Sequence, residues 1–190
     1  MFSDRFKDSE KLYQKANETL HGNRDRVEPP ACLFNGPAGV GKFSACEFIK
    51  RLMTYIIYHD MSPEERERTQ MSPTFNRTME YIMPDSEYWE GYTGQLFATM
   101  DDMGQSEDIK DRKIEALKLI RMVNVAPMNC NMAFGEKGNR FFTSKVILVT
   151  SNMFPDGIGA GGNRPELGIT SPAAFIRRFA IIVHRADPLS

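Results

Sequence analysis

Seven residues constrain this chain more than any others. Gly36–Lys42 read G-P-A-G-V-G-K and lie between a short apolar run, Ala31–Asn35 (ACLFN), and a segment with helical periodicity. They fill the first seven positions of the phosphate-binding pattern GxxxxGK[ST]. The spacing has a chemical reason. Glycines let the backbone bend so that several N–H groups converge on phosphate oxygens, and the helix that follows presents its positive end. Lys42 then reaches the β- and γ-phosphates as a point charge. The candidate nucleotide-binding residues are therefore Gly36, Pro37, Ala38, Gly39, Val40, Gly41 and Lys42, with Phe43 and Ser44 on the first helical turn. A tight glycine turn with a solvated lysine is the plainer reading of the same residues.

The eighth position of the pattern, where Ser or Thr would reach Mg²⁺, holds Phe43. Ser44 lies about 100° further around the helix and does not simply substitute. Magnesium keeps several of its waters, so a water can take that coordination place. Phe43 thus bears more on hydrolysis than on nucleotide binding.

Strand, glycine turn and helix form the unit that builds parallel α/β sheets, and the rest of the chain continues it. Met79–Met83, Leu96–Met100, Val146–Val149 and Phe179–Val183 read as further strands, giving five in all. Ala45, Phe48, Ile49, Leu52, Met53 and Ile56 read as one helical face after the glycine loop, and Ile109, Ala116, Leu117, Ile120 and Val123 as another. Ser62 invites a helix start, Ala173–Arg178 is helical in character, and GEKGNRFF looks like a turn between two short strands. Phe2, Phe6, Tyr13, Ala16 and Leu20 mark an amphipathic stripe before a polar loop that ends at Pro30. The expected organisation is an N-terminal helix and linker over 1–25, then a single α/β domain over 26–190 whose mostly parallel five-stranded sheet carries helices on both faces.

Composition narrows the classes. The chain has 190 residues, 41% of them hydrophobic and 26% charged, which suits one globular domain and excludes a disordered or fibrous chain. No apolar run approaches the ~18 residues of a membrane-spanning helix, and the charged N-terminus does not read as a secretory signal. The net charge of −1 gives no broad basic footprint, although a local patch is compatible with it. Cys32, Cys46 and Cys130 are too scattered for a disulfide framework or a zinc site and read as reduced thiols.

Three further features can complete a phosphoryl-transfer site. Asp101 and Asp102 close an apolar strand (LFATMDD), and carboxylates at a strand's C-terminal edge face the crevice where α/β sheets bind ligands. One can hold Mg²⁺, here Asp101, while its neighbour orients the attacking water; an acidic loop pair without function is the alternative. Asn152 ends KVILVTSN at the equivalent edge, as a phosphate or water contact or as a turn former. Arg177 and Arg178 precede the last strand, either as a solvated pair or as arginines that stabilise transition-state charge in a neighbour's site.

In this order the pieces resemble the ATPase core of the superfamily 3 helicases of picorna-like viruses, a branch of the AAA+ ring ATPases. The resemblance covers about Arg26 to Arg185. It rests on VEPPACLFNGPAGVGK, EYWEGYTGQLFATMDDMGQ, VNVAPMNCNMAFGEKGNRFFTSKVILVTSN and AAFIRRFAIIV. It implies an AAA+-like fold in which Gly36–Lys42 are motif A, Asp101 and Asp102 motif B, Asn152 the motif C sensor, and Arg177 and Arg178 the fingers of an adjacent subunit. It also implies ATP and Mg²⁺ as ligands, RNA as partner, assembly into a ring, and a role in viral genome replication in the host cytoplasm. Lys137 and Arg140 fall where the family places a pore-facing hairpin and are nominated as RNA contacts; a charged, soluble hairpin tip is the equal alternative.

The membrane-binding segment and zinc region of many relatives find no counterpart, so the chain reads as a core cut from a polyprotein, monomeric or weakly associating. Two other readings stay open: a nucleotide- or RNA-binding module with little hydrolysis, and a cellular AAA+ loader-type ATPase.

Overall fold

The computed structural model describes residues 26–132, 140–153 and 167–184. The N-terminal amphipathic stripe, Lys137 and most of the glycine-rich stretch after Asp156 lie outside them.

Among the described residues, five strands form one sheet: β1 (Ala31–Asn35), β2 (Glu80–Ile82), β3 (Phe97–Met100), β4 (Val146–Ser151) and β5 (Phe179–His184). Their order is β2-β3-β4-β1-β5, and every neighbouring pair is parallel. The helices are α1 (Lys42–Asp60), α2 (Pro63–Thr69), α3 (Ile109–Val123) and α4 (Pro172–Ile176).

The two-residue period of the strands splits the core. Ala31 and Leu33 of β1, Ala98 of β3 and Ile147 and Val149 of β4 point to one face, where Ala116, Leu119, Met122 and Val123 of α3 cover them. Cys32, Phe34, Phe97, Val146 and Leu148 point to the other, under Cys46 of α1. Helices therefore lie on both faces, and the central strands are buried throughout, as parallel strands require. Each fully buried aliphatic or aromatic side chain contributes roughly 1.5–3 kcal/mol.

Both helices sit rotated from the faces read in the sequence. On α1, Ala45, Ile49 and Met53 do pack inward, but Phe48, Leu52 and Ile56 are exposed, and the deepest residues are Cys46, Lys50 and Thr54. A lysine can take such a place because Glu80 of β2 meets it with two bonds of 2.9 Å and Glu47 pairs with it from one turn earlier. On α3, Leu119 and Met122 are buried where Ile109 and Leu117 were expected.

Helix ends follow local chemistry. Ser62 and Glu65 form a capping box before α2, with Pro63 in the first turn. Asp108 caps α3 and Ser171 caps α4. At its other end α3 is gripped by Arg26, which donates through Nε to Asn124 O at 2.7 Å and through Nη2 to Arg121 O at 2.7 Å and Met122 O at 2.6 Å. Near Arg140, Cys130 N donates to Arg140 O and Phe142 N to Met128 O, both at 2.9 Å. With the antiparallel Asn129–Phe141 bridge they form the base of the expected hairpin.

Candidate functional site

The site lies at the C-terminal ends of β1, β4 and β3, which are adjacent in that order. The loop after β1 carries Gly36–Gly41, the end of β4 leads to Asn152, and the turn after β3 carries Asp101 and Asp102. Sheet order alone thus puts Asn152 between the glycine loop and the aspartates.

The loop turns through left-handed backbone at Gly39 (φ 82°) and Gly41 (φ 86°), a region that costs a side-chain-bearing residue energy. Gly41 is the N-cap of α1, and no side chain caps that end. Its first-turn N–H groups therefore keep their bonding capacity, and no acidic residue sits in that turn to oppose an anion. Lys42 folds back over the loop, donating to Gly36 O at 2.8 Å and Pro37 O at 2.9 Å, and also to Asn152 Oδ1. The Asn152 amide in turn faces Asp102 Oδ1 at 3.4 Å. Lysine, asparagine and aspartate from three elements make one continuous polar line.

The aspartates occupy a tight turn, both exposed, with Asp102 itself left-handed (φ 47°). Three side chains hold this turn, and sequence reading assigned none of them. The Thr150 hydroxyl donates to Asp101 Oδ1 at 2.6 Å and accepts from Asp102 N at 2.7 Å. The Ser151 hydroxyl donates to Met103 O at 2.8 Å. Glu115 of α3 accepts from Gly104 N at 2.8 Å. Gly104 is required there: φ is 85°, and a Cβ would lie 2.7 Å from Met153 Sδ. Two consecutive hydroxyls ending a buried apolar strand were the signal available for Thr150 and Ser151. Glu115 gave none, because its acceptor role depends on where α3 docks. Burial pushes its carboxyl above the ordinary range, with the Gly104 N–H and Lys118 opposing.

Beside the aspartates opens a cavity of about 960 Å³, lined by Asp101, Asp102, Asp85, Glu115 and Lys118 among others.

Phe43 and Ser44 follow Lys42 on the first turn of α1, and both are exposed, as the aspartates are, Phe43 at 63%. Other expected residues lie elsewhere. Arg177 and Arg178 lie between α4 and β5, and β5 starts with Phe179 beside Ala31, at the sheet edge opposite the glycine loop. They do not meet Lys42 within the chain. Arg140 is half-buried at the hairpin base. The three thiols are buried and unpaired with one another, and burial pushes those of Cys46 and Cys130 up to about 12, so neither supplies a thiolate at neutral pH.

A parallel sheet of this order, with a glycine loop ending its fourth-placed strand and an acidic turn two strands away, defines a phosphate-loop α/β domain. The pattern of the RNA helicase family matches residues 32–153, and the chain belongs to that family, the superfamily 3 helicases of picorna-like viruses. It is similar to the replicase polyprotein of acute bee paralysis virus, 31% identical over 159 residues, which is 83% of this chain and 8% of that protein. It is likewise similar to the genome polyprotein of porcine enterovirus 9, 29% identical over 161 residues, 85% of this chain and 6% of the polyprotein. The hepatitis A virus genome polyprotein is 31% identical over 127 residues, 67% of this chain and 5% of the polyprotein. The chain thus spans a small part of each relative's length. Family membership supports a helicase or nucleoside-triphosphatase role. Among the described residues, no helix is long and apolar enough to cross a membrane.

Proposed function

We propose that this chain is the ATPase core of a viral RNA helicase, hydrolysing ATP to drive RNA remodelling or translocation during genome replication in the host cytoplasm. The observation that carries the reading is the polar line from Lys42 through Asn152 to Asp102, drawn across three strand ends over an uncapped helix N-terminus. ATP is the substrate, its phosphates held by the N–H groups of Ala38–Lys42 and by the Lys42 ammonium; Pro37 has no N–H and that of Gly36 is donated to Ser151 O.

The exposed Asp101 carboxylate suits a hard dication, and Asp101 would hold Mg²⁺. When bound, the ion neutralises charge on the phosphates. Asp102 and Asn152 orient the attacking water, and Asn152 shares its amide between that task and Lys42. Such preorganised charge is worth about 10²–10³ in rate for a single donor.

The test is steady-state phosphate release by wild type and Lys42→Ala, with and without single-stranded RNA. The expected result is a loss of at least roughly 100-fold in the variant. Equal turnover in the two proteins would refute the assignment. Phe43 supports one other reading, a nucleotide-binding module that hydrolyses little, and a wild type that binds ATP without releasing phosphate would favour it.

A further inference from the structure

We infer that Thr150 is a positioning residue for the aspartate pair, its hydroxyl orienting the Asp101 carboxylate and fixing the main chain of Asp102. The inference rests on the reading of the site as an ATPase.

Its hydrogen-bond roles are fully determined. The Asp102 N–H can only donate, so at 2.7 Å it takes a lone pair of Thr150 Oγ1. The one hydroxyl proton is then committed to Asp101 Oδ1 at 2.6 Å, a length typical of a hydroxyl bound to a charged carboxylate. Thr150 is 5% exposed and sits in β4, paired to β1 on one side and β3 on the other. A β-branched side chain in a buried strand has little freedom at χ1. The hydroxyl is therefore a fixed point, and a carboxylate held through Oδ1 presents Oδ2 in a fixed direction.

The same hydroxyl bears on strain. Asp102 is left-handed at φ 47°, a conformation that costs an L-residue on the order of 1 kcal/mol or more. Its N–H bond to Thr150 and the Gln105 N bond to its carbonyl at 3.3 Å hold it there. Thr150 therefore sets the backbone of Asp102, while Asn152 meets its carboxylate. The Lys42 ammonium bonds Gly36 O, Pro37 O and Asn152 Oδ1 rather than Thr150, so Thr150 acts through the aspartates.

Two measurements test this. In the metal-free, nucleotide-free protein, the Asp102 amide should exchange slowly in wild type and Thr150→Ser, and at least about ten times faster in Thr150→Val. In turnover, Thr150→Val should lower kcat by roughly 10- to 100-fold, the scale of one hydrogen bond to a charged group, with KM for ATP little changed. Thr150→Ser should restore most of that loss. In an Asp101→Ala background the valine should cost less than in wild type, because the acceptor of the Thr150 hydroxyl is already gone and only the Asp102 N–H bond is left to lose. A Thr150→Val protein with wild-type kcat, or losses that simply multiply with Asp101→Ala, overturns the inference. Should the valine variant not fold, Thr150→Ala carries the same expectations. A wild type no faster than Lys42→Ala fails the ATPase reading instead, and takes the catalytic role of Thr150 with it.

Discussion

Phe43 stands where an oxygen ligand would be expected, and its ring rests on cations instead. It lies 5.7 Å from Lys50 Nζ and 5.7 Å from Arg77 Cζ. Partly solvated contacts of this kind are worth about 0.5–1 kcal/mol each, and a ring that is 63% exposed adds little burial to them. The side chain is therefore nearly dispensable for folding. A Phe43→Ser substitution should change stability by no more than ~1–2 kcal/mol, the sum of those contacts. It should also raise Mg²⁺-dependent ATP turnover by giving the metal the oxygen that motif A lacks. A magnesium titration of turnover in both proteins decides it, and an unchanged curve would mean that water already fills that place. Motif positions divide into those that carry chemistry and those that carry packing. The EGYTGQ run supports the family resemblance, yet Tyr92 within it is buried, stacked 5.8 Å from Phe142, with its hydroxyl accepting from Thr143 N and Ser144 N. That run builds the loop's core and contributes none of the residues that line up on Lys42.

Between elements, a buried polar tie joins α1 to the edge of the sheet. Lys50 is 2% exposed, Glu80 is 3%, and Thr99 of β3 donates to Glu80 Oε1 at 2.6 Å. Arg77 adds a bond of 3.0 Å to Glu80 and a contact of 3.1 Å to Glu47. Burial alone would push the Glu80 carboxyl up, but the bonds from Thr99 and Lys50, the Lys50 charge and the Arg77 bond together hold it below its ordinary 4.5. Because the folded value is depressed, the stabilisation is present above the unfolded value and is lost as pH falls through the folded one. Wild type should thus weaken in acid below about pH 4.5, and Glu80→Gln should show a flatter profile there. At neutral pH that variant should lose about 3 kcal/mol, the low end for breaking a buried pair, since Glu47 still faces Lys50. For a domain of this size, thermal unfolding would report the loss as a drop of roughly 6–12 °C. The same network explains what the sequence hid. Strand positions were legible because each is a short apolar run between turn signals, and all five appear within a few residues of expectation. The inward face of α1 was not, because a lysine enters a core only when a carboxylate 30 residues away meets it. The aspartate and asparagine edges were legible from strand ends, whereas the hydroxyls and Glu115 that set their geometry act through contacts local sequence does not encode.

At the scale of the whole molecule, the two arginines and the phosphate loop occupy opposite edges of one sheet, separated by the length of β1, roughly 16 Å for five residues. Arg177 is exposed and Arg178 half-buried at the start of β5. No contact with Lys42 is open to them within the chain, so any part they take in hydrolysis must be played on another copy. That requires a head-to-tail interface, which closes into a ring when the rotation allows. Specific ATPase activity should then rise with protein concentration to a plateau, whereas a site complete within one chain gives a flat line. Mixing sharpens the test. Lys42→Ala lacks the lysine but keeps the arginines, and Arg177→Ala/Arg178→Ala the reverse, so each alone should be nearly inactive. In an equimolar mixture assembled at random, ~1/4 of head-to-tail interfaces join an intact phosphate loop to intact arginines. Turnover should recover toward that fraction of wild type. A mixture no better than its components would confine the arginines to a structural role and leave the phosphate loop to work without them.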